Sequence, residues 1–191
     1  MNDKERIHID SDKSERQRHW DEIAEHVEHI VDKLNNPVDD GIKEGIIALS
    51  AFDINTVASC EGHLDGGVAG PWIDVEAKRP AELIARAKEL LKDKDGNKEK
   101  LEELSKKTEG MNLEERKKLF VHLDDFYKDR NVPFHRRLIV NGMALGWSRL
   151  QNQGLDLQKI ESDEVRKERL LEYQGEMKLF IEFLKDKYFQ G

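Results

Sequence analysis

Apolar residues recur at helical spacing over much of this chain. Trp20, Ile23, Ala24, Val27, Ile30, Val31 and Leu34 form one stripe, which predicts a first helix ending near Leu34. Asn36 and Pro37 read as the N-cap and first position of a second helix. Asp39 and Asp40 fall in its first turn, where the helix dipole favours negative charge, and Val38, Ile42, Ile46, Leu49 and Phe52 give its buried face. After Asp53 the period shortens. "INTVASC" is rich in β-branched residues and predicts a strand ending at Cys60. Gly62, Gly66, Gly67 and Gly70 mark a loop. "PWIDVEA" then alternates, with Ile73, Val75 and Ala77 on the side expected to face helices and Trp72, Asp74 and Glu76 on the other.

Pro80 opens a third predicted helix with Leu83, Ala87, Leu90 and Leu91 as its stripe, and "KDKDGNKEK" breaks it. Residues 92–112 hold few apolar positions and are expected to form a projecting helical hairpin or a lid. "NLEE" has the form of a capping box, Asn112 with Glu115, opening a helix that carries Leu119, Phe120, Leu123, Phe126 and Tyr127. Residues 136–154 read as two strands around Asn141-Gly142 and Gly146, with Trp147, Arg149 and Gln151 sharing one strand face. Ser162 caps a last helix whose Leu170, Tyr173, Met177, Phe180, Ile181, Leu184 and Tyr188 repeat at near-heptad spacing, a pattern of a core helix or of a homodimer face. The expected fold class is α+β: a small, mainly antiparallel sheet of about four strands covered by helices, with a helical insertion, forming one domain over 15–191 behind a flexible N-terminus at 1–14.

Composition narrows the function. The chain has 191 residues and a net charge of −8, which disfavours a nucleic-acid partner and an anionic membrane surface. One cysteine makes no internal disulfide, and the start of the chain has no apolar signal core, so a reducing cytoplasm is the expected compartment. No Walker loop, dinucleotide-binding glycine fingerprint, HExxH pair or Gly-x-Ser-x-Gly elbow occurs.

Chemistry concentrates in "TVASCEGHLDGGVAGPWIDVEAK", residues 56–78. Three readings compete there. Cys60 and His63 have the ligand types that tetrahedral zinc prefers, with Asp65, Asp74, Glu76, His122 or His135 left to complete the set. Alternatively Cys60 is a nucleophile with His63 as base, a reading that Glu61 and Asp65 oppose because negative neighbours raise a thiol pKa. In the third, Cys60 is a small buried residue closing the strand. The expected site is a pocket for a small molecule or a metal at the Ser59–His63 turn, with Ser59, Cys60, Gly62, Trp72 and Arg149 as ligand-binding residues. For an enzyme, metal-assisted or acid–base hydrolysis is expected, with Glu61, His63 and Asp74 catalytic and zinc as the candidate cofactor on Cys60 and His63. The rival reading is a protein-interaction module that uses the helices at 80–127 and 162–189.

"TVASCEGHL…GPWIDVEAK" resembles a bacterial family with a Ser-Cys-Glu-Gly-His-Leu…Pro-Trp-Ile/Val-Asp core, over residues 46–78. The resemblance implies that Ser59 to Leu64 and Pro71 to Asp74 form one site, and it implies no activity. Ser59, Cys60 and Gly62 are also loosely similar to the Ser-Cys-Ser-Gly-Arg turn of the wybutosine-synthesis methyltransferase-like family, from which Glu61 and His63 depart. Two other clusters have structural readings. Lys128, Arg130, His135, Arg136 and Arg137 are either an anion site or a solvated loop beside acidic helices, and His19, His26 and His29 with Glu22 and Glu25 are either a helical metal site or a solvated face of the first helix, with His26 at the border of its apolar stripe.

Overall fold

The computed structural model describes residues 3–65, 68–143 and 147–191. Gly66, Gly67 and Gly146 of the expected loops lie outside them. The elements in chain order are α1 (Asp3–Glu28), α2 (Asp40–Ala51), β1 (Thr56–Cys60), β2 (Trp72–Val75), α3 (Ala81–Leu90), α4 (Lys98–Tyr127), β3 (Leu138–Gly142), β4 (Ser148–Asn152) and α5 (Asp163–Gln190), with short 3-10 helices between some of them. The four strands form one antiparallel sheet in the order β1-β2-β4-β3, and the fold is α+β. No described helix is long and apolar enough to cross a membrane.

The pleat of the sheet assigns its faces. Ile73, Val75 and Leu150 point to one side and join Ile42, Ile46, Leu49, Leu119, Phe126, Met177, Phe180 and Leu184 in a single core. Each of these large side chains contributes roughly 1.5–3 kcal/mol by leaving water. The near-heptad stripe of α5 is thus spent inside the chain, with Tyr173, Phe180 and Leu184 fully buried. Gly45 lets α2 approach closely, since a Cβ there would lie 2.8 Å from Ile181 Cδ1 and 3.2 Å from Ile73 Cδ1.

Helix boundaries differ from the periodic reading at both ends of α1, at the start of α2 and along α4, and local polar chemistry explains the end of α1 and the start of α2. Helix α1 reaches back to Asp3, into the stretch expected to be flexible, and stops at Glu28 instead of running on to Leu34. The Asp32 carboxylate accepts from the Leu34 and Asn36 N–H groups, Val31 bridges Pro37, and Asn35 takes φ 66°, so a tight turn replaces the last helical turn. Helix α2 consequently begins at Asp40 with Asp39 as N-cap, not at Asn36-Pro37. Helix α4 is continuous for 30 residues, so the Asn112–Glu115 pair opens no helix and 98–112 is its first half, packed beside α3. Asn112 accepts from the Ala77 N–H at 2.9 Å, and Glu115 accepts from the Asn55 N–H at 2.5 Å. These two side chains satisfy backbone donors at the sheet's margin and fasten α4 to it.

Candidate functional site

Strand β1 is an edge of the sheet and runs directly into the Glu61–Pro71 loop. Gly62 makes the turn with φ 89°, and a Cβ on it would lie 2.5 Å from the Gly70 carbonyl carbon, so two loop backbones touch where only glycine fits. The loop is pinned at its base. Gln158 donates to the Ala69 carbonyl and accepts from the Ala69 N–H, and Gln174 donates to the Glu61 carbonyl at 3.1 Å. Sequence reading missed both glutamines, because each is about ninety or more positions away from its partner.

The turn and the start of α2 cap each other. Asp39 makes no cap bond to its own helix; its carboxylate accepts from the Glu61 N–H at 3.0 Å. Glu61 reciprocates, its Oε2 accepting from the Gly41 N–H in the first turn of α2 at 2.8 Å. A negative charge held at a helix N-terminus is stabilised by the free N–H groups and the dipole. The crossed arrangement carries Asp39 to the cysteine and the histidine. Asp39 Oδ2 lies 3.4 Å from His63 Nε2, and one ligand atom each of Asp39, Cys60 and His63 lie within 4.8 Å of one another. Among the described residues this is the grouping of three or more His, Cys, Asp or Glu side chains that could hold a metal ion.

The thiol is held protonated in this setting. Burial pushes the Cys60 pKa up, the Gly62 N–H donated to its sulfur at 3.3 Å works against that, and Asp39 and Glu61 push it up further. Such a thiol is a poor nucleophile at neutral pH. A dication would reverse the balance, because coordination deprotonates a thiol outright. Asp39, Cys60 and His63 open on a cleft of about 930 Å³ between β1 and the α1–α2 loop, lined also by Ser59, Glu61 and Trp72. That volume is in the range of small-molecule sites, roughly 300–1,000 Å³.

Two expected members of the site do other work. Asp74 is buried and receives both Arg149 Nε at 2.6 Å and Arg149 Nη2 at 2.8 Å. The Arg149 guanidinium also lies over the Trp72 ring, 3.9 Å from its centre. The register places Asp74 opposite Arg149, and the pair closes on itself beneath the tryptophan instead of facing the cleft. Asp74 is therefore no free base, Arg149 is no free anion receptor, and Trp72 offers the cleft only what Arg149 leaves open.

The residues expected to complete a Cys60–His63 metal set are likewise elsewhere. Glu76 pairs with Arg79, His122 packs on Phe52, and His135 meets Glu172 and Arg169. Asp39 stands in their place. It is 21 positions from Cys60, and the sequence marks it only as a helix-start aspartate. The basic cluster is mostly internal pairing: Arg130 and Arg136 hold Glu176, and Arg137 lies over Tyr127. On α1 His19 bonds the Tyr188 hydroxyl, and just past its end His29 bonds the Glu25 carbonyl.

No protein-family model matches this chain, and neither does any curated protein or solved structure.

Proposed function

We propose that Asp39, Cys60 and His63 bind one divalent transition metal, zinc most readily, and that the fourth coordination position opens on the cleft. The observation that carries this reading is the convergence of a carboxylate, a thiol and an imidazole within 4.8 Å on the wall of one cavity. Ligand atoms around tetrahedral zinc lie about 3.3–3.8 Å apart given its bond lengths; Asp39 and His63, 3.4 Å apart, already have that spacing, and the widest pair needs to draw in by at most about 1 Å. The charges suit a dication: a carboxylate and a thiolate together cancel it, and neutral imidazole completes the set. Three protein ligands with one position left over is the arrangement of catalytic, not structural, zinc. A bound zinc ion would supply a nucleophilic water at neutral pH, which makes hydrolysis of a bound small molecule the reaction class, with Glu61 on the same wall as the carboxylate nearest in kind to a base. A reducing cytoplasm, where a free thiol persists, suits the site.

Equilibrium dialysis of metal-free protein against zinc tests this. Wild type is expected to take up one zinc per chain, and His63→Ala and Asp39→Asn to bind it at least about 100-fold more weakly. Cobalt in place of zinc should show a thiolate charge-transfer band that Cys60→Ser removes. Equal uptake by wild type and all three variants, or none by any, would end the metal reading.

A further inference from the structure

Strand β1 has one partner, β2, and its other side faces the cleft. Edge strands in natural proteins are blunted by charges, proline or a covering element. Here Thr-Val-Ala-Ser-Cys has no charge and no proline, and the bulge near Val57 is its only irregularity. The Glu61 N–H points across this edge to Asp39. Strand alternation therefore puts the N–H and C=O of Ser59 on the same side, where no backbone partner occurs among the described residues. Facing the edge across the cleft is an apolar wall of Ile30 and Val31, 37% and 50% exposed, with Val38 beside them, and Val57 on β1 itself is 45% exposed. The rim is acidic: Asp32, Asp39, Asp40 and Glu61 line the cleft, Asp40 with Lys43 beside it at 3.1 Å, and no lysine or arginine lines the cleft itself among the described residues.

These features specify an occupant. Unpaired main-chain groups ask for an extended backbone, the apolar wall for alternate apolar side chains, and the rim for cations. We propose that β1 accepts an added strand: an extended, lysine- or arginine-bearing segment of a partner polypeptide, seated between β1 and residues 30–38. A second copy of this chain fits less well, because pairing β1 with itself brings the four-carboxylate rim against its own image. The strand lies in the same cleft as Asp39, Cys60 and His63 and needs no metal to bind.

Fluorescence anisotropy with a labelled Lys-Val-Lys-Val-Lys-Val peptide, on protein treated with chelator and on zinc-loaded protein, tests the inference. The peptide should bind chelator-treated protein at least about tenfold more tightly than Glu-Val-Glu-Val-Glu-Val, a difference of about 1.4 kcal/mol. Methylating the backbone nitrogens of alternate residues should abolish binding in one of the two possible phases and spare it in the other, the mark of a strand paired along one edge. Ser59→Pro should weaken binding as well; the methylated peptides carry the test if that variant does not fold. Equal affinity for lysine and glutamate peptides, or for both methylation phases, overturns the proposal. A wild-type dimer in sedimentation that Ser59→Pro dissolves, with no peptide binding, assigns the edge to a second copy and also overturns it. Zinc uptake without peptide binding defeats this inference alone, and peptide binding without zinc uptake defeats the metal reading alone.

Discussion

Glu176 and Asp39 are both carboxylates set among polar side chains, and their surroundings have opposite character. Glu176 is fully buried and receives Arg130 at 2.9 Å, Arg136 at 3.2 Å and the Tyr127 hydroxyl at 3.1 Å. Asp74 has Arg149, and Glu115 has Lys118 at 3.0 Å. Inside the protein each of these negative charges has its cation built in, as burial demands. Asp39 instead meets a thiol, an imidazole and one backbone N–H. The core carboxylates are complete, whereas the cleft carboxylate sits among the ligand types of the proposed metal site. That contrast separates charge that holds the fold from charge available to a ligand, and the sequence shows the same residue types in both places.

The contrast can be broken most forcefully in the core. Glu176→Gln leaves Arg130 and Arg136 without their counter-charge and should cost about 3–5 kcal/mol in urea unfolding. A loss under about 1 kcal/mol would mean that solvent already satisfies the arginines. Arg149→Met, which strands the buried Asp74 carboxylate and removes the cover over Trp72, should cost about 3 kcal/mol and change the tryptophan emission. In the cleft, Asp39→Asn should cost less than about 1 kcal/mol, because the amide oxygen still accepts from the Glu61 N–H. If it unfolds the protein as Glu176→Gln does, Asp39 is structural and the comparison fails.

The smallest effect is on the thiol. With its pKa raised above the ordinary 9.0, metal-free Cys60 should react slowly with iodoacetamide near neutral pH and faster only well above that value, and Asp39→Asn should speed it severalfold. The sign for stability follows. The folded thiol holds its proton more tightly than the unfolded one, so its contribution is full below pH 9 and declines as pH rises through the folded pKa. In the proposed metal site, zinc would displace that proton, so its affinity should fall as pH is lowered, which dialysis at several pH values would show.

Periodicity located all four strands and much of the helical faces, since burying an apolar stripe is what makes those segments fold, although Leu91 and Phe120, assigned to buried stripes, are 57% and 48% exposed. Ile73, Val75 and Ala77 face the helices as their alternation implied, and Ser162 caps α5 by accepting from the Val165 N–H. The stripe Trp20 to Leu34 overran α1 because Ile30, Val31 and Leu34 keep helical spacing although Asp32 closes a turn among them. The Asn112–Glu115 motif misled for a related reason: polar side chains suited to a helix cap are equally suited to satisfy a neighbouring strand's N–H groups. Cys60 and His63 could be picked out because a glycine turn after a strand gathers side chains that are close in sequence. Which acid joins them could not be read, because Asp39, Asp65 and Asp74 look alike until packing gives Asp74 to Arg149 and brings the start of α2 to the turn. Local chain chemistry, acting over a few residues, determined the elements and the thiol–imidazole pair. Which carboxylate stands beside them, and which edge of the sheet stays open, was decided only when α2 and α5 closed over the strands, because those choices depend on contacts between segments far apart along the chain.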